Sequence, residues 1–471
     1  MAQATVSSNI DLVFHLEKAI ENDEFEVYYQ PIIHTISGSL CGFEALVRWH
    51  HPVYGFLNPA SFISALEDTK QIHHLDIHIV EQVCRRYDME RKAGRPVVPF
   101  SVNLSRIDLE MADMFHAIEK LVSTYRMPRS MLNIEITESA FGEDVQILMD
   151  SINKFRSAGY QVWMDDFGSG YSSLNTLKDY TFDELKIDMG FISDMNHRAK
   201  RILASMISMA KDIRMVTLVE GVETMEQVEF LKQIGCDRLQ GYYFSKPLPY
   251  EELLQVLKKK EIPFETADDR RYYHEINRIN LLSPSPFTDI DATIERRGGG
   301  IPLAIMEKKD GIYSFIYQNE EFGDDLHLIG AKDAMDAIQK LIHFGMLTRA
   351  EIDAFLDETI TKGDRSIEFS VNGDLCSARA KMISAEEDRF AILLSVNNIT
   401  QIMNISHERL MDQSLRNIYS MYLRVSVLRP AKDEMVNIFS QDHHSVPTDV
   451  PFNMTKLTVK YATSSFHPDD K

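Results

Sequence analysis

"FEVYYQPIIHTISGSLCGFEALVRW", residues 25–49, holds two runs rich in β-branched and aromatic residues on either side of "SGS". Such a pair of runs around a Gly-centred break predicts an antiparallel hairpin. From there to residue 247 the pattern changes. Short strand-like runs, "FSVNLS" (100–105), "LNIEITES" (132–139), "QVWMDDFG" (161–168), "DELKID" (183–188), "VTLVEGVE" (216–223) and "RLQGYYF" (238–244), alternate with amphipathic helical stretches. Counted from Ser101, Asn133, Val162, Glu184, Thr217 and Arg238, successive runs lie 21 to 33 residues apart, the length of one strand–helix unit.

The helices between them follow from one-face spacing. Val145, Leu148, Met149, Ile152 and Phe155 form one apolar stripe, which Gly159 can end in a left-handed cap. Ile202, Met206, Met209 and Ile213 form a second, expected to face the core. Val228, Leu231 and Ile234 form a third, closed by Gly235. Repeated strand–helix units imply an α/β fold with a parallel sheet, either open or closed into a barrel, and spacing alone leaves both possible.

The totals bound the rest. A length of 471 residues favours about three domains. Hydrophobic and charged fractions of 44% and 26% are those of a soluble globular protein. A net charge of −21 argues against a nucleic-acid polymer as partner, because polyanion binding needs clustered Lys and Arg. A small anionic substrate stays compatible if metal ions mask local carboxylates. The longest apolar runs, such as "AILLSV" (391–396), are too short to cross a bilayer, and the N-terminus lacks the pattern of a signal peptide. Four scattered cysteines, at 41, 84, 236 and 376, point to reduced thiols and a cytoplasmic location.

Past residue 262 the organisation changes. Residues 263–300 read as a linker with one short helix around "DRRYYHEINRI". Residues 301–400 read as a small α+β domain, with a strand pair in "PLAIMEKKDGIYSFIYQNEEF" and a hairpin at the "NG" of 372–373. A connecting helix is expected at 401–418. The stretch 419–471 offers one more hairpin and reads as part of a second such domain, a disordered tail, or a chain cut short.

The chemistry gathers at the strand ends. Glu44, Asn103, Glu135, the pair Asp165–Asp166, Lys186, Glu220 and Gln240 each stand near the C-terminal end of an early run. A ring of carboxylates converging on one mouth repels itself unless divalent cations hold it together. Oxygen-only ligands indicate a hard ion such as Mg²⁺, Mn²⁺ or Ca²⁺. Neighbouring residues on a strand point to opposite faces, so Asp165 and Asp166 can share a site only where the strand is ending. There the first can bridge two metals while the second binds one. Two ions about 3.5–4 Å apart would clamp a phosphodiester and activate water for in-line attack, with Lys186 close by.

"EALVRW" (44–49), "SVNLS" (101–105), "IEITES" (134–139), "DDFGSGYSSL" (165–174), "LKID" (185–188), "VEGVET" (219–224) and "QGYYFSKPLP" (240–249) resemble, in order, the motif series of the EAL-domain family. The resemblance implies a TIM-type barrel with an antiparallel first strand, here residues 9–262, that opens cyclic di-GMP to linear pGpG as a phosphodiesterase. It assigns Glu44, Asn103, Glu135 and Asp165 to one metal, and Asp165, Asp166 and Glu220 to the second. Lys186 matches the lysine at the catalytic water, and Gln240 a residue that orients the site. Gln30, Arg48, Asp188, Glu223 and Gln240 match substrate-side positions. Glu138 matches the anchor of the loop after the double aspartate, where "GSGYSSL" resembles a mobile loop coupled to dimerisation. Mg²⁺ or Mn²⁺ is the implied cofactor, Ca²⁺ an inhibitor, and a homodimer through the barrel the implied assembly.

This chain departs from the family pattern at Ser169, Val219 and Lys70, the last occupying a usual glycine position and putting only a local turn in question. Residues 301–400 resemble a PAS-type domain by pattern rather than by motif, which implies a sensory or regulatory role. No haem or flavin ligand stands out, and His343 reads as a surface or packing residue. The alternative readings are a catalytically silent cyclic di-GMP receptor and a protein-interaction scaffold.

Overall fold

The computed structural model describes residues 15–111, 113–137, 140, 145–168, 177–283, 286–287, 301–328, 330–371, 374–400, 424–429, 433–440 and 451–453. By compactness the chain divides into two units, residues 1–367 with 378–396, and residues 368–377 with 397–471.

The first unit begins with the expected hairpin. β1 (Phe25–His34) and β2 (Leu40–His51) pair antiparallel, with a bulge at Ile32/Ile33 and Gly38 in the turn at φ +68°. β3 (Phe100–Asn103), β4 (Leu132–Thr137), β5 (Gln161–Phe167), β6 (Glu184–Ile187), β7 (Val216–Val219) and β8 (Arg238–Gln240) follow in parallel, each beside its predecessor. β8 then pairs antiparallel with β1, which closes the ring. The result is an eight-stranded TIM-type barrel whose first strand alone runs against the others, as expected.

Most of the core lies between the barrel and its helices, where Phe43, Phe100, Ile134, Met164 and Leu185 are all buried. Ile32, Cys41, Trp163 and Leu218 form a separate cluster. Of the helices, α1 (Ile72–Lys92) buries Leu75, Ile79 and Val83, and α2 (Val145–Ala158) ends at Gly159, whose φ of +100° is the anticipated left-handed stop. α3 (His197–Asp212) corrects the sequence reading. Its buried face is Leu203, Ile207 and Ala210, whereas Ile202 and Ile213 are 41% and 47% exposed and Met206 and Met209 half-buried. The two stripes are offset by one position and share the same helical spacing. The slimmer Leu203–Ile207–Ala210 face is the one that lies against the barrel. α4 (Met225–Gln233) starts in a capping box between Thr224 and Gln227.

The stretch read as a linker contains α5 (Ala267–Asn277), opened by a Thr266–Asp269 capping box. Tyr272, Tyr273 and Ile276 are buried in one cluster with Leu303, Ile305, Tyr317 and Leu393, so this helix is packed rather than extended across a gap. Beyond it, β9 (Ala304–Lys309) and β10 (Ile312–Gln318) form the expected pair. Asp310 and Gly311 both have positive φ at the turn, as two-residue hairpins require. With β11 (Asp364–Val371), β12 (Asp374–Glu386) and β13 (Arg389–Asn398) they make a five-stranded sheet in the order β10-β9-β13-β12-β11. Three helices, Glu320–Leu328, Ala334–His343 and Arg349–Lys362, stand between its second and third strands in sequence. The "NG" turn at 372–373 and the helix expected at 401–418 lie outside the described residues. In the second unit, β14 (Arg424–Arg429), β15 (Glu434–Ser440) and β16 (Pro451–Asn453) form a three-stranded antiparallel sheet, the first two making the expected hairpin.

Lys70, where the sequence put a local turn in question, makes that turn in the left-handed region at φ +58°. All four cysteines are buried, and none is joined in a disulfide. Among the described residues no helix is long and apolar enough to cross a membrane.

Candidate active site

β2 to β8 run the same way, so their C-terminal ends open on one mouth. Strand alternation turns Glu44 of β2 and Glu135 of β4 toward the barrel axis, and Asn103 stands opposite Glu135 in the β3–β4 register. Asn103 Nδ2 donates to Glu44 Oε1 at 3.2 Å, and Gln240 Nε2 donates to Glu44 Oε2 and, at 3.2 Å, to Gln30 Oε1. Gln240, matched in sequence to a site-orienting and a substrate-side position, thus holds Glu44 directly, and Gln30, matched to a substrate-side position, in turn holds Gln240. Only the barrel's closure brings residue 240 back to residue 30.

Lys186 stands in the middle. Its ammonium lies 2.6 Å from Glu135 Oε2, 2.8 Å from Asp165 Oδ1, 2.8 Å from Glu220 Oε1 and 3.7 Å from Glu44 Oε1. Lys186 and Glu135 are fully buried.

The adjacent aspartates meet through a backbone irregularity. Asp166 has φ +55°, and the β5–β6 register jumps between Met164 and Phe167, so β5 carries one extra residue at this point. The left-handed turn swings Asp166 toward its neighbour, and carboxylate oxygens of Asp165, Asp166 and Glu220 come within 4.8 Å of one another.

Electrostatics report the crowding. Burial, only partly offset by Lys186, pushes the Glu135 carboxyl well above its ordinary value. Burial raises Glu220 to about 7, and burial together with the charge of Asp165 raises Asp166 to about 6. Burial alone would lower Lys186, but Asp165, Glu135, Glu220 and Glu44 together drive it up. One ammonium therefore pairs with four carboxylates, and Asp166 stands beside two of them as a fifth. Among the described residues, buried Glu135 Oε1 has no hydrogen-bond partner. Buried polar atoms are rarely left so. An all-oxygen donor set with an orphaned carboxylate oxygen and excess negative charge fits hard divalent cations at this mouth.

Three other expected residues sit at the rim. Arg48 lies over the Tyr28 ring at 5.4 Å and donates to the Val47 carbonyl at 2.7 Å. The Asp188 carboxylate accepts from the Gly190 N–H at 2.8 Å, and its charge contributes to the rise of Asp166. Glu223 is exposed, on the turn before α4. Glu138, Ser169, Ser172 and Ser173 lie outside the described residues.

Two glycines unnoticed in the sequence complete the mouth. A Cβ on Gly241 would fall 2.2 Å from the Val222 backbone, and one on Gly221 (φ +71°) 2.4 Å from Met189 Cβ. Each follows a site residue, Gln240 or Glu220, and lets two loops approach closely. The signal was available in "EG" and "QG" at strand ends.

Comparison with known proteins agrees in extent. Residues 15–247 match the profile of the EAL domain. An uncharacterised protein of Synechocystis sp. is 36% identical over 250 residues, covering 53% of this chain and 36% of that protein. The cyclic di-GMP phosphodiesterase NbdA of Pseudomonas aeruginosa is 34% identical over 245 residues, covering 52% of this chain and 31% of that one. The match thus spans about a third of the length of these curated relatives. A solved structure of the MucR phosphodiesterase of Pseudomonas aeruginosa with c-di-GMP is 31% identical, with a TM-score of 0.49, covering 52% of this chain and 99% of that one. Residues 15–247 thus belong to the EAL domain family.

Proposed function

We propose that the barrel is a metal-dependent cyclic di-GMP phosphodiesterase that releases linear pGpG. The observation that carries this reading is the mouth itself, where four carboxylates share one ammonium, Asp166 adds a fifth beside them, and Glu135 Oε1 has no hydrogen-bond partner among the described residues. The names of relatives, among them phosphodiesterases, support the substrate class.

In this reading Glu44, Asn103, Glu135 and Asp165 hold one divalent cation, Mg²⁺ or Mn²⁺, and Asp165, Asp166 and Glu220 hold the other. Such ions, once bound, polarise the phosphodiester and make water acidic enough to attack it. The chain's own groups do the rest. Gln240 and Asn103 fix the Glu44 carboxylate by hydrogen bonds from either side. Lys186, an ammonium without a lone pair, cannot take the proton from water. It orients the attacking oxygen and stabilises charge developing on the phosphoryl group. Arg48 and Gln30 at the rim hold the dinucleotide, Arg48 through paired hydrogen bonds to phosphate. Asp188 and Glu223 line the approach, and Glu138 anchors the loop that follows Asp166.

A homodimer through the barrel belongs to the same reading. It is supported by the partly exposed apolar line of Ile202, Met206 and Met209 on α3, beside Phe191. The α+β region 301–400 is read as PAS-like and regulatory, supported by its five-stranded sheet with helices inserted after the second strand.

The test is pGpG release by purified protein with Mg²⁺ or Mn²⁺. Tight binding of cyclic di-GMP without cleavage in either metal would overturn the reading in favour of a receptor.

A further inference from the structure

At the end of the barrel away from the mouth, a cleft of about 570 Å³ lies between the last turn of α3, α5 and the strand β12. Its lining runs against the charge of the whole. In a chain of net charge −21, Lys211, Arg214, Arg278 and Lys381 converge there, and among the described residues lining it Glu275 is the only carboxylate. Two of the cations are accounted for. Lys211 pairs with Asp237 and donates to the Asn277 carbonyl at 2.6 Å, and Arg278 pairs with Glu275 at 3.3 Å. Among the described residues no carboxylate pairs with the other two: the Lys381 ammonium donates to the Phe287 carbonyl, at 2.9 Å, and no side-chain hydrogen bond or ion pair engages the Arg214 guanidinium. Met215, buried at the cleft wall, supplies an apolar surface.

Like charges gathered in a concavity raise one another's energy unless an anion joins them. A guanidinium and an ammonium facing one space suit phosphate oxygens. The volume is that of a small-molecule site, larger than one phosphate needs. We propose that this cleft binds a phosphate-bearing small molecule of nucleotide size, with Arg214 and Lys381 on the phosphates and its apolar part against Met215. The site is separate from the carboxylate mouth and needs no metal.

The experiment uses the full chain after EDTA treatment at low ionic strength, with GMP, GTP and pyrophosphate as probes in calorimetry. GTP is expected to bind with Kd below about 100 μM, and the double variant R214E/K381E to weaken it at least about tenfold. Both residues reach solvent, so the unliganded variant should keep the wild-type melting temperature, which checks that it folds. Unweakened binding by the double variant overturns the location. Binding of none of the probes overturns the site, and pyrophosphate binding as tightly as GTP overturns the nucleotide size. None of these outcomes depends on whether the mouth cleaves cyclic di-GMP.

Discussion

The two ends of the barrel treat buried charge in opposite ways. At the floor, Asp237 has one oxygen on Lys211 and the other on the N–H and hydroxyl of Thr217, at 2.8 and 2.9 Å. Glu184 has Arg238 at 2.6 Å, one carboxylate to one cation. At the mouth, four carboxylates divide a single ammonium and Asp166 adds a fifth charge beside them. Matched pairs hold strands together. A surplus of one sign on the same strands stores repulsion that a bound cation relieves. β6 and β7 carry both arrangements, Glu184 and Thr217 toward one end, and Lys186, within β6, and Glu220, just past β7, toward the other.

Substitutions at the two ends should therefore separate activity from stability. The largest expected effect is Glu44→Ala, which should lower pGpG release at least about a thousandfold while leaving the melting temperature near that of wild type. Next comes the floor. Asp237→Ala leaves Lys211 buried and unpaired, and should cost about 3–5 kcal/mol in denaturant unfolding. Equal losses of stability from both variants would break the comparison.

A pH series should show the stored repulsion directly. Asp166 and Glu220 have raised values in the folded state, so folding binds protons there, and stability must fall as pH rises from the unfolded carboxyl range near 4.5 through about 7. In EDTA, Glu220→Gln should remove part of that fall, at most roughly 3 kcal/mol. The absence of any slope change in thermal melts would count against a strained mouth. Mn²⁺ at about a hundred times its Kd should stabilise wild type by about 2.7 kcal/mol, and Asp165→Asn should abolish that gain. The smallest effect concerns neither end: Lys70→Gly should add up to about 1 kcal/mol, because glycine holds φ near +58° without a Cβ clash.

What the sequence revealed followed physical range. The hairpin, the parallel repeats and the strand-end position of Asp165–Asp166 depend on neighbours in the chain, and they were legible. Gly159 stops α2 where its spacing said it would. The buried face of α3 was misjudged because two apolar stripes satisfy the same period, and only the barrel surface chooses between them. The Gln30–Gln240–Glu44 chain joins residues 210 and 196 positions apart. The packing of α5 was equally hidden. Arg389 reaches Asp269 and Glu307, each at 2.7 Å, and stacks 3.9 Å from the Tyr272 ring, contacts that no local pattern announces.

The extra residue in β5 has a consequence for how this site could be lost. Met164 and Phe167 both belong to the large core cluster, whereas Trp163 belongs to the separate one, so in-and-out alternation slips by one step at Asp166. Removing Asp166 altogether would restore an unbroken two-residue rhythm, with Asp165 and Phe167 keeping their own sides. A deletion that in most strands would scramble every later side chain would here regularise the ladder and erase a single ligand. Under the proposed function, that one deletion is expected to turn a hydrolase into a mute receptor while leaving the barrel folded.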